Sequence, residues 1–257
     1  MTDVDEYAPG PPCWVELATT DVQAAKDFYG EVLGWQLDEG ALPDGGVYVI
    51  PHIRDRGVGG MYTRRGDQKD VPPHWLVFVS VNDADDTASR VTALGGELTD
   101  PPYDVMDSGR MAVLRDPTGA NVALWQANKS IGARVVNEPG AFSWSELATR
   151  DPGRAADFYC GLFGWNMKQV PDGSYTEFLV GEQAVAGMRP MDEPSGDAPP
   201  HWLAYFATDD CDATAAKVAS NGGRLDVPPF DIPKVGRIAV ASDPQGAHFA
   251  LWTEKAT

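Results

Sequence analysis

Two glutamates and three histidines are the side chains of this sequence that are best placed to move protons. Glu16 and Glu146 lie in segments that are otherwise apolar, where burial would raise the pKa of a carboxyl group and suit it to general acid–base catalysis. His74 and His201 each follow two prolines at the start of an apolar segment, and His248 opens the last such segment. Because an imidazole titrates near neutral pH, these five residues are predicted to be catalytic.

The same residues also allow a structural interpretation. Each glutamate could form an ion pair or a buried hydrogen bond at a contact between modules. His74 and His201 could bond to the backbone, and His248, near the start of a strand, could simply be exposed. The residue types alone do not decide between catalysis and structure.

Tryptophan, asparagine and arginine side chains could form the walls of a ligand pocket beside these groups. Small-molecule pockets commonly combine aromatic walls with a few polar groups, and indole rings stack well on aromatic ligands. The predicted ligand-binding residues are Trp14, Trp144, Trp75, Trp202, Asn121, Arg110 and Arg237. For the two arginines, a solvated position on the surface is the alternative.

The elements that must position these residues occur twice. Trp14-Val-Glu-Leu-Ala-Thr returns as Trp144-Ser-Glu-Leu-Ala-Thr after 130 residues, and Pro72-Pro-His-Trp returns as Pro199-Pro-His-Trp after 127. A period of this length indicates a duplicated domain and not a solenoid. We predict domains at residues 8–127 and 138–255, joined by a connection at 128–139.

Each repeat is predicted to contain two modules with the order strand, helix, strands. Asp21 and Asp151 are predicted helix caps, and Gly34 and Gly164 are predicted helix ends. In the first repeat the predicted strands are 14–19, 47–50, 58–62, 75–81, 110–114 and 121–125 with one near Tyr103, and the second helix is 85–94. The proline pairs at 101–102 and 228–229 are predicted to lie in loops.

Composition limits the class of protein. The 257 residues, 43% of them apolar, suffice for two cores of ordinary size. A net charge of −18 would repel nucleic acid and anionic membranes, so neither is a predicted partner. Three cysteines without a CxxC spacing indicate neither a disulfide framework nor a thiolate metal site. Without an N-terminal signal or a long apolar run, the predicted location is the cytoplasm.

The modules resemble those of the vicinal oxygen chelate superfamily, which includes glyoxalase I, extradiol dioxygenases, fosfomycin-modifying enzymes and bleomycin-binding resistance proteins. The resemblance rests on the opening strand before Asp21, on Asp27-Phe-Tyr29, on Gly34-Trp35 and on the closing Asp116-Pro-Thr-Gly-Ala120, and it occurs twice. It implies an α+β fold of four βαβββ modules, arranged as two tandem glyoxalase-like domains with half-open barrel pockets.

Metal-using members of that family hold a divalent ion with two histidines and two carboxylates. The resemblance places the first histidine position on Trp14 and Trp144, and the closing glutamate on Ala123 and Ala250. The middle carboxylate falls in 59–62 and 186–189, which contain no acid. Of these ligand positions, only His74 and His201 keep a ligating side chain, with Glu16 and Glu146 as the available substitutes. We therefore predict no metal and no other cofactor.

The resemblance leaves the pairing of the modules open, because superfamily members build pockets both within and across repeats. Across repeats, Trp14 and Glu16 would face His201 and His248, whereas within a repeat Trp144 and Glu146 would do so. The predicted chain is a monomer that imitates a dimer, or a homodimer.

Three functions follow from the resemblance and the residues. The first is a metal-independent enzyme of the isomerase, dehydratase or cyclase type, acting by proton transfer on a small aromatic or polyketide-like metabolite. The second is a non-catalytic protein that binds a drug or metabolite, resembling bleomycin-resistance proteins. The third is a metal-dependent glyoxalase or dioxygenase, which requires that the ligand positions above be misplaced.

Overall fold

Two sheets, one from each repeat, form the framework of the protein. The computed structural model describes residues 3–42, 45–64, 66, 70–192 and 196–254. The strands of the first half are β1 (Pro12–Thr19), β2 (Gln36–Ala41), β3 (Val47–Ile53), β4 (Arg56–Gly57), β5 (Gly60–Thr63), β6 (His74–Ser80), β7 (Glu97–Val105), β8 (Gly109–Arg115) and β9 (Asn121–Ala127). They pair in the order β2-β3-β5-β1-β6-β9-β8-β7, with β4 on β3.

The second sheet repeats the first. Its strands are β10 (Phe142–Thr149), β11 (Asn166–Gln169), β12 (Thr176–Val180), β13 (Gln183–Pro190), β14 (His201–Ala207), β15 (Arg224–Ile232), β16 (Gly236–Ser242) and β17 (His248–Glu254), in the order β11-β12-β13-β10-β14-β17-β16-β15. Neither sheet closes into a barrel within the described ranges. The predicted α+β fold of tandem halves with half-open sheets is therefore confirmed.

The described residues form four α-helices that pack against the sheets, and capping residues specify where a helix begins and ends. They are α1 (Val22–Leu33), α2 (Ala84–Val91), α3 (Pro152–Phe163) and α4 (Cys211–Ser220). Asp21 accepts a hydrogen bond from the Ala24 amide, and Gly34 ends α1 in the left-handed conformation at φ 73°. Among the described residues, no helix has the length and apolar character that crossing a bilayer requires.

The proline pairs lie in strands, so the prediction that they lie in loops is wrong. Pro101 and Pro102 belong to β7, and Pro228 and Pro229 belong to β15. Each strand is at the edge of its sheet, where a residue without an N–H breaks no ladder on the open side. The pairing register also shifts beside each pair, which accommodates the prolines in bulges.

The main core is shared by the two halves, which corrects the expectation of two separate cores. One cluster of buried apolar side chains includes residues of both repeats, among them Phe28 and Tyr29 of α1 with Phe206 and Phe249 of the second sheet. The indole N–H of Trp35 donates to the Gly140 carbonyl across the halves at 2.8 Å. The halves therefore pack against each other through this shared core, and each also has a smaller buried cluster of its own.

Two buried tyrosines link the halves reciprocally. The Tyr29 hydroxyl accepts a hydrogen bond from the Trp75 indole N–H at 3.0 Å and donates to Asp243 Oδ2 in the second half at 3.1 Å. The Tyr159 hydroxyl accepts from Trp202 and donates to Asp116 Oδ2 in the first half, both at 2.8 Å. Each helix thus holds the last hairpin turn of the opposite repeat.

We expect Tyr29→Phe and Tyr159→Phe each to lower the free energy of unfolding by about 1–3 kcal/mol. Each variant keeps the ring but leaves a buried indole N–H and a turn carboxylate without their shared partner. Urea denaturation followed by tryptophan fluorescence measures the loss. Unchanged stability in both variants would show that these links do not contribute to folding.

Candidate functional site

Strand alternation gives each sheet a second face, opposite the shared core, which we call the inner face. In the second half, Trp144 pairs with Tyr205, Glu146 with Leu203 and Ala148 with His201. The intervening residues, such as Leu147 and Trp202, belong to the shared core. In the first half the same face carries Trp14, Glu16, His74, Leu76 and Phe78.

A cavity of about 1990 Å³ opens on the inner face of the second half. Its wall includes Trp144, Glu146, Tyr175, Arg189, His201, Leu203, Tyr205, Ile238, Val240 and His248, and it reaches the first half at His74, Leu76 and Asn121. It does not border Trp14 or Glu16. The second glutamate and the second histidine therefore share one sheet and one cavity, and the first half contributes part of its wall.

Glu146 is the buried carboxyl group of this cavity, with 8% of the residue exposed. Its Oε1 accepts a hydrogen bond from Arg189 Nε at 3.0 Å, and the nearby Tyr205 and Tyr175 hydroxyls lower its pKa. The Trp144 indole N–H donates to the Tyr175 hydroxyl at 2.9 Å. Burial raises the pKa of Glu146, because the cost of desolvating the carboxylate exceeds the stabilisation by Arg189 and the two tyrosines.

The two tyrosines remain proton donors. Burial raises the pKa of Tyr175 and of Tyr205, and the negative charge of Glu146 raises both further. Phenols of this kind stay protonated at neutral pH and stabilise the ionised form of the glutamate when it has given up its proton. The carboxyl group can therefore exist in both states in this cavity, as a proton carrier requires.

His201 is a neutral base in the same cavity. Its Nδ1 lies 2.9 Å from the Pro199 carbonyl oxygen, which only accepts hydrogen bonds, so the proton of the neutral ring is assigned to Nδ1 and Nε2 is the acceptor. Burial lowers the pKa of His201, and Arg189 lowers it further. Because His201 is the diagonal neighbour of Glu146 across the strand pair, their Cβ atoms are about 7–8 Å apart.

The first half has the same framework with different groups. The Tyr48 hydroxyl donates to Glu16 Oε2 at 2.6 Å, and the Trp14 indole N–H lies 3.3 Å from the Tyr48 oxygen. Tyr62 stands at the position of Arg189, and Phe78 at that of Tyr205. His74 bonds to the Pro72 carbonyl, and burial lowers its pKa.

His248 and Asn121 lie at the rim. The His248 side chain is 54% exposed, and its Nδ1 is 2.8 Å from Asp226 Oδ2. Asn121, its counterpart, is exposed at the start of β9. Both border the cavity, but the structure places His248 beside an aspartate at the entrance and not beside Glu146.

Four of the predicted ligand-binding residues make structural contacts, and their role in ligand binding stays a prediction. The Trp75 and Trp202 indoles are buried in the shared core, where their N–H groups bond to Tyr29 and Tyr159, although both residues border the cavity. Both faces of the central strands β6 and β14 are covered, so the sequence alone does not show whether the Trp75 and Trp202 indoles face the shared core or the cavity. Arg110 binds Asp85 and Asp104, and Arg237 binds Asp212 and Asp231, so each arginine ties a helix to an edge hairpin.

Three residues of the site were missed from sequence: Tyr175, Arg189 and Tyr205. A signal existed in Gly60 and Gly187, which interrupt strands on the inner face. A Cβ on Gly187 would lie 1.8 Å from the Tyr175 hydroxyl, and one on Gly60 would lie 2.0 Å from that of Tyr48. A glycine in a strand indicates close approach by another group, here the tyrosine that bonds the glutamate.

The strand register tests whether the residues fit the divalent metal of metal-using relatives. Asp21 and Asp83 cap the helices of the two modules, and the pair Val15–Val77 lies on the local two-fold axis between them. This symmetry places Leu76, not His74, in the position equivalent to Trp14, so the assignment of His74 to a ligand position is wrong. The same symmetry in the second half makes Leu203, and not His201, the residue equivalent to Trp144.

The inner positions of the second half are therefore Trp144, Gly187, Leu203 and Ala250, and none of their side chains can bind a metal. The nearby Glu146 carboxyl already forms an ion pair with Arg189. Among the described residues there is no group of three or more His, Cys, Asp or Glu side chains arranged to hold an ion. The residues do not fit the metal.

We expect protein purified without chelator and without a metal-affinity step to contain far less than one equivalent of zinc, nickel, iron, manganese or cobalt per chain. The reason is the absence of a complete ligand set on the described inner faces. Elemental mass spectrometry measures this directly. One or two equivalents of a single metal would contradict the assignment.

We also expect the relative stability of Glu146→Gln to depend on pH. The folded-state pKa of Glu146 is raised, so its contribution to stability is complete below the unfolded pKa of about 4.3 and is lost as pH rises through the folded pKa. Glutamine is neutral throughout. As the pH rises from about 4 to about 8, the variant should therefore become increasingly stable relative to the parent protein. Thermal denaturation at each pH measures this difference. A difference independent of pH would contradict the raised pKa.

Comparison with known proteins agrees with this architecture. The family model described as Glyoxalase/Bleomycin resistance protein/Dioxygenase superfamily matches residues 13–124 and 129–251. "Putative glyoxylase CFP32" of Mycobacterium tuberculosis is 43% identical over 256 residues, covering 98% of this chain and 97% of that protein. "Anthracycline biosynthesis protein DnrV" of Streptomyces peucetius is 36% identical over 262 residues, covering 95% and 94%.

Solved structures share the fold at low identity. The Mn(II)-bound glyoxalase from Novosphingobium aromaticivorans superposes with a TM-score of 0.68 at 13% identity, over 96% of this chain and 82% of that one. Such identity supports a common arrangement of strands and helices and carries no information on shared chemistry.

Proposed function

Because the chain belongs to the glyoxalase/bleomycin resistance protein/dioxygenase superfamily, we propose that its second half is a metal-independent active site that moves protons on an aromatic or polyketide-like metabolite. The observation that carries the proposal is Glu146, a buried carboxyl group on the wall of a cavity, with a hydrogen bond from Arg189 and a raised pKa. Perturbed titratable groups in a cleft are candidates for general acids and bases.

The walls of the cavity support an aromatic substrate. Trp144 offers an indole beside Glu146, and Leu203, Ile238 and Val240 form an apolar surface next to it. The volume exceeds the about 300–1,000 Å³ of ordinary ligand pockets, so a polycyclic molecule has room. The name of the Streptomyces relative refers to the biosynthesis of anthracyclines, which are polycyclic aromatic compounds.

The proposed reaction uses Glu146 as the acid and His201 as the base. Protonated Glu146 donates its proton to a carbonyl oxygen of the substrate, and His201 Nε2 accepts a proton from the adjacent carbon, which forms an enol. His201 then gives its proton to the γ-carbon of an extended enol or to a hydroxyl on the β-carbon, which leaves as water, while the enol O–H returns its proton to Glu146. The first course moves the carbon–carbon double bond and gives an isomer, and the second leaves a new carbon–carbon double bond. Arg189, Tyr175 and Tyr205 stabilise the carboxylate that Glu146 becomes.

A binding protein without catalysis is the second candidate. The large cavity with its aromatic wall would also suit the sequestration of a drug or metabolite. This candidate requires the apolar surface and Trp144 but no proton transfer, so the two functions differ in whether bound molecules exchange protons.

The test follows deuterium. Polycyclic aromatic ketones with a hydrogen next to the carbonyl are incubated with the protein in D₂O, and incorporation and products are measured by NMR and mass spectrometry. We expect catalysed exchange or loss of water, abolished in His201→Gln and retained in Glu16→Gln, whose carboxyl group does not border the cavity. Binding seen by fluorescence quenching without any exchange would reject the enzyme and support sequestration.

A further inference from the structure

Arg189 has unused hydrogen-bonding capacity in the cavity. A guanidinium has five N–H donors in a fixed plane, and only Nε has a recorded partner among the described residues, Glu146 Oε1. The side chain is 37% exposed and borders the cavity, so the terminal nitrogens are accessible to a bound molecule. An accessible guanidinium with two terminal nitrogens is suited to bidentate binding of a planar anionic group.

The groups around Arg189 also favour an anion at this point. Tyr175, Tyr205 and Trp144 are hydrogen-bond donors, and Glu146 is the carboxyl group that contacts the guanidinium. When Glu146 is protonated, this cluster has one positive charge and no negative one. Glu177, another carboxylate of the cavity wall, lies 3.5 Å from Lys168, which offsets its charge.

We infer that Arg189 binds an anionic oxygen group of the ligand, either a carboxylate or the ionised oxygen of an acidic enol. The inference rests on the proposed function only in taking this cavity as the ligand site. It adds the chemical class of the ligand: an aromatic or polyketide-like molecule that carries an acidic oxygen next to the reacting carbonyl. The first half has Tyr62 at this position and lacks the corresponding guanidinium.

Two pairs of probes test the two sources of negative charge. Anthraquinone-2-carboxylate is compared with its carboxamide, and 2-acetylcyclohexane-1,3-dione with its methyl enol ether. Dissociation constants are measured by calorimetry at low salt for the parent protein, Arg189→Gln, Arg189→Lys and Tyr62→Gln, which is the matched control in the first half.

We expect the anionic member of at least one pair to bind more tightly, and Arg189→Gln to weaken it by about 10–100-fold while changing the neutral member less than about twofold. Arg189→Lys should restore part of the difference, and Tyr62→Gln should leave it intact. Glu146→Gln should strengthen or preserve anion binding, because glutamine still accepts the hydrogen bond from Nε but carries no negative charge beside the bound anion. The pair that shows the preference identifies carboxylate or enol.

If Arg189→Gln weakens the binding of the anionic and the neutral probe equally, the inference is wrong and Arg189 is a structural partner of Glu146. Absence of any preference for the anions, or of any binding by them, would do the same. These binding data do not depend on turnover. Failure of deuterium exchange with preserved anion selectivity would therefore reject the proposed reaction alone.

Discussion

Glu146→Gln is expected to lower the turnover number by about 10²–10⁴-fold, the usual contribution of a positioned acid or base. Glutamine keeps the size and the hydrogen-bonding shape of the side chain but cannot exchange a proton. Glu16→Gln makes the same change in the first half, where the side chain does not border the cavity that Glu146 lines. Glu16→Gln should change the turnover number less than about twofold. Comparison of the two variants therefore separates the role of the carboxyl group in the second half from that of its counterpart in the first.

Steady-state kinetics on whichever substrate shows deuterium exchange measures both variants. Circular dichroism and binding of a neutral probe serve as controls, because Glu146→Gln should bind ligand with nearly unchanged affinity. If the two variants lose turnover equally, both halves are active and the asymmetry of the cavity does not reflect function. If neither loses it, Glu146 is a structural carboxyl group.

Gly187→Ala is expected to reduce turnover by about 10²-fold without changing any group that carries a proton. The added Cβ would lie 1.8 Å from the Tyr175 hydroxyl and 3.0 Å from the Trp144 indole nitrogen, so Tyr175 must move away from Glu146. Overpacking of this kind should also cost about 1–3 kcal/mol of stability.

Gly60→Ala is the matched control, because its Cβ would lie 2.0 Å from the Tyr48 hydroxyl in the first half. We expect a similar loss of stability, measured by urea denaturation, with turnover nearly unchanged. A comparable loss of activity in Gly60→Ala would mean that the first half also carries catalysis. Full activity in Gly187→Ala would show that Tyr175 is dispensable.

Much of the fold was accessible from the sequence because its signals are local. Asp21, Gly34 and the alternation in residues 14–19 specify a capped helix and a half-buried strand, and the repeat copies them. The loop prediction for the proline pairs is wrong because a proline is tolerated in an edge strand, and the pairing of the whole sheet determines which strands are edges.

The site was only partly accessible, for a different reason. Glu146 and His201 could be found because acidic and imidazole groups in apolar strands are unusual. Arg189 lies on β13, Tyr205 on β14 and Tyr175 directly before β12, and their convergence on Glu146 depends on long-range pairing that no short pattern encodes. For the same reason the resemblance places His74 at a ligand position, although the symmetric position is Leu76, two residues away.

The reciprocal tyrosine links bear on how such a chain could have arisen. A chain half this length would retain Tyr159 on its helix and Asp243 in its last hairpin turn, each lacking the partner that the other repeat supplies. Two copies could satisfy both groups by exchanging the same contact, since Asp116 and Asp243 occupy equivalent turns. Fusion of two such genes would place both contacts within one chain. One copy could then lose its catalytic residues and still complete the fold of the other.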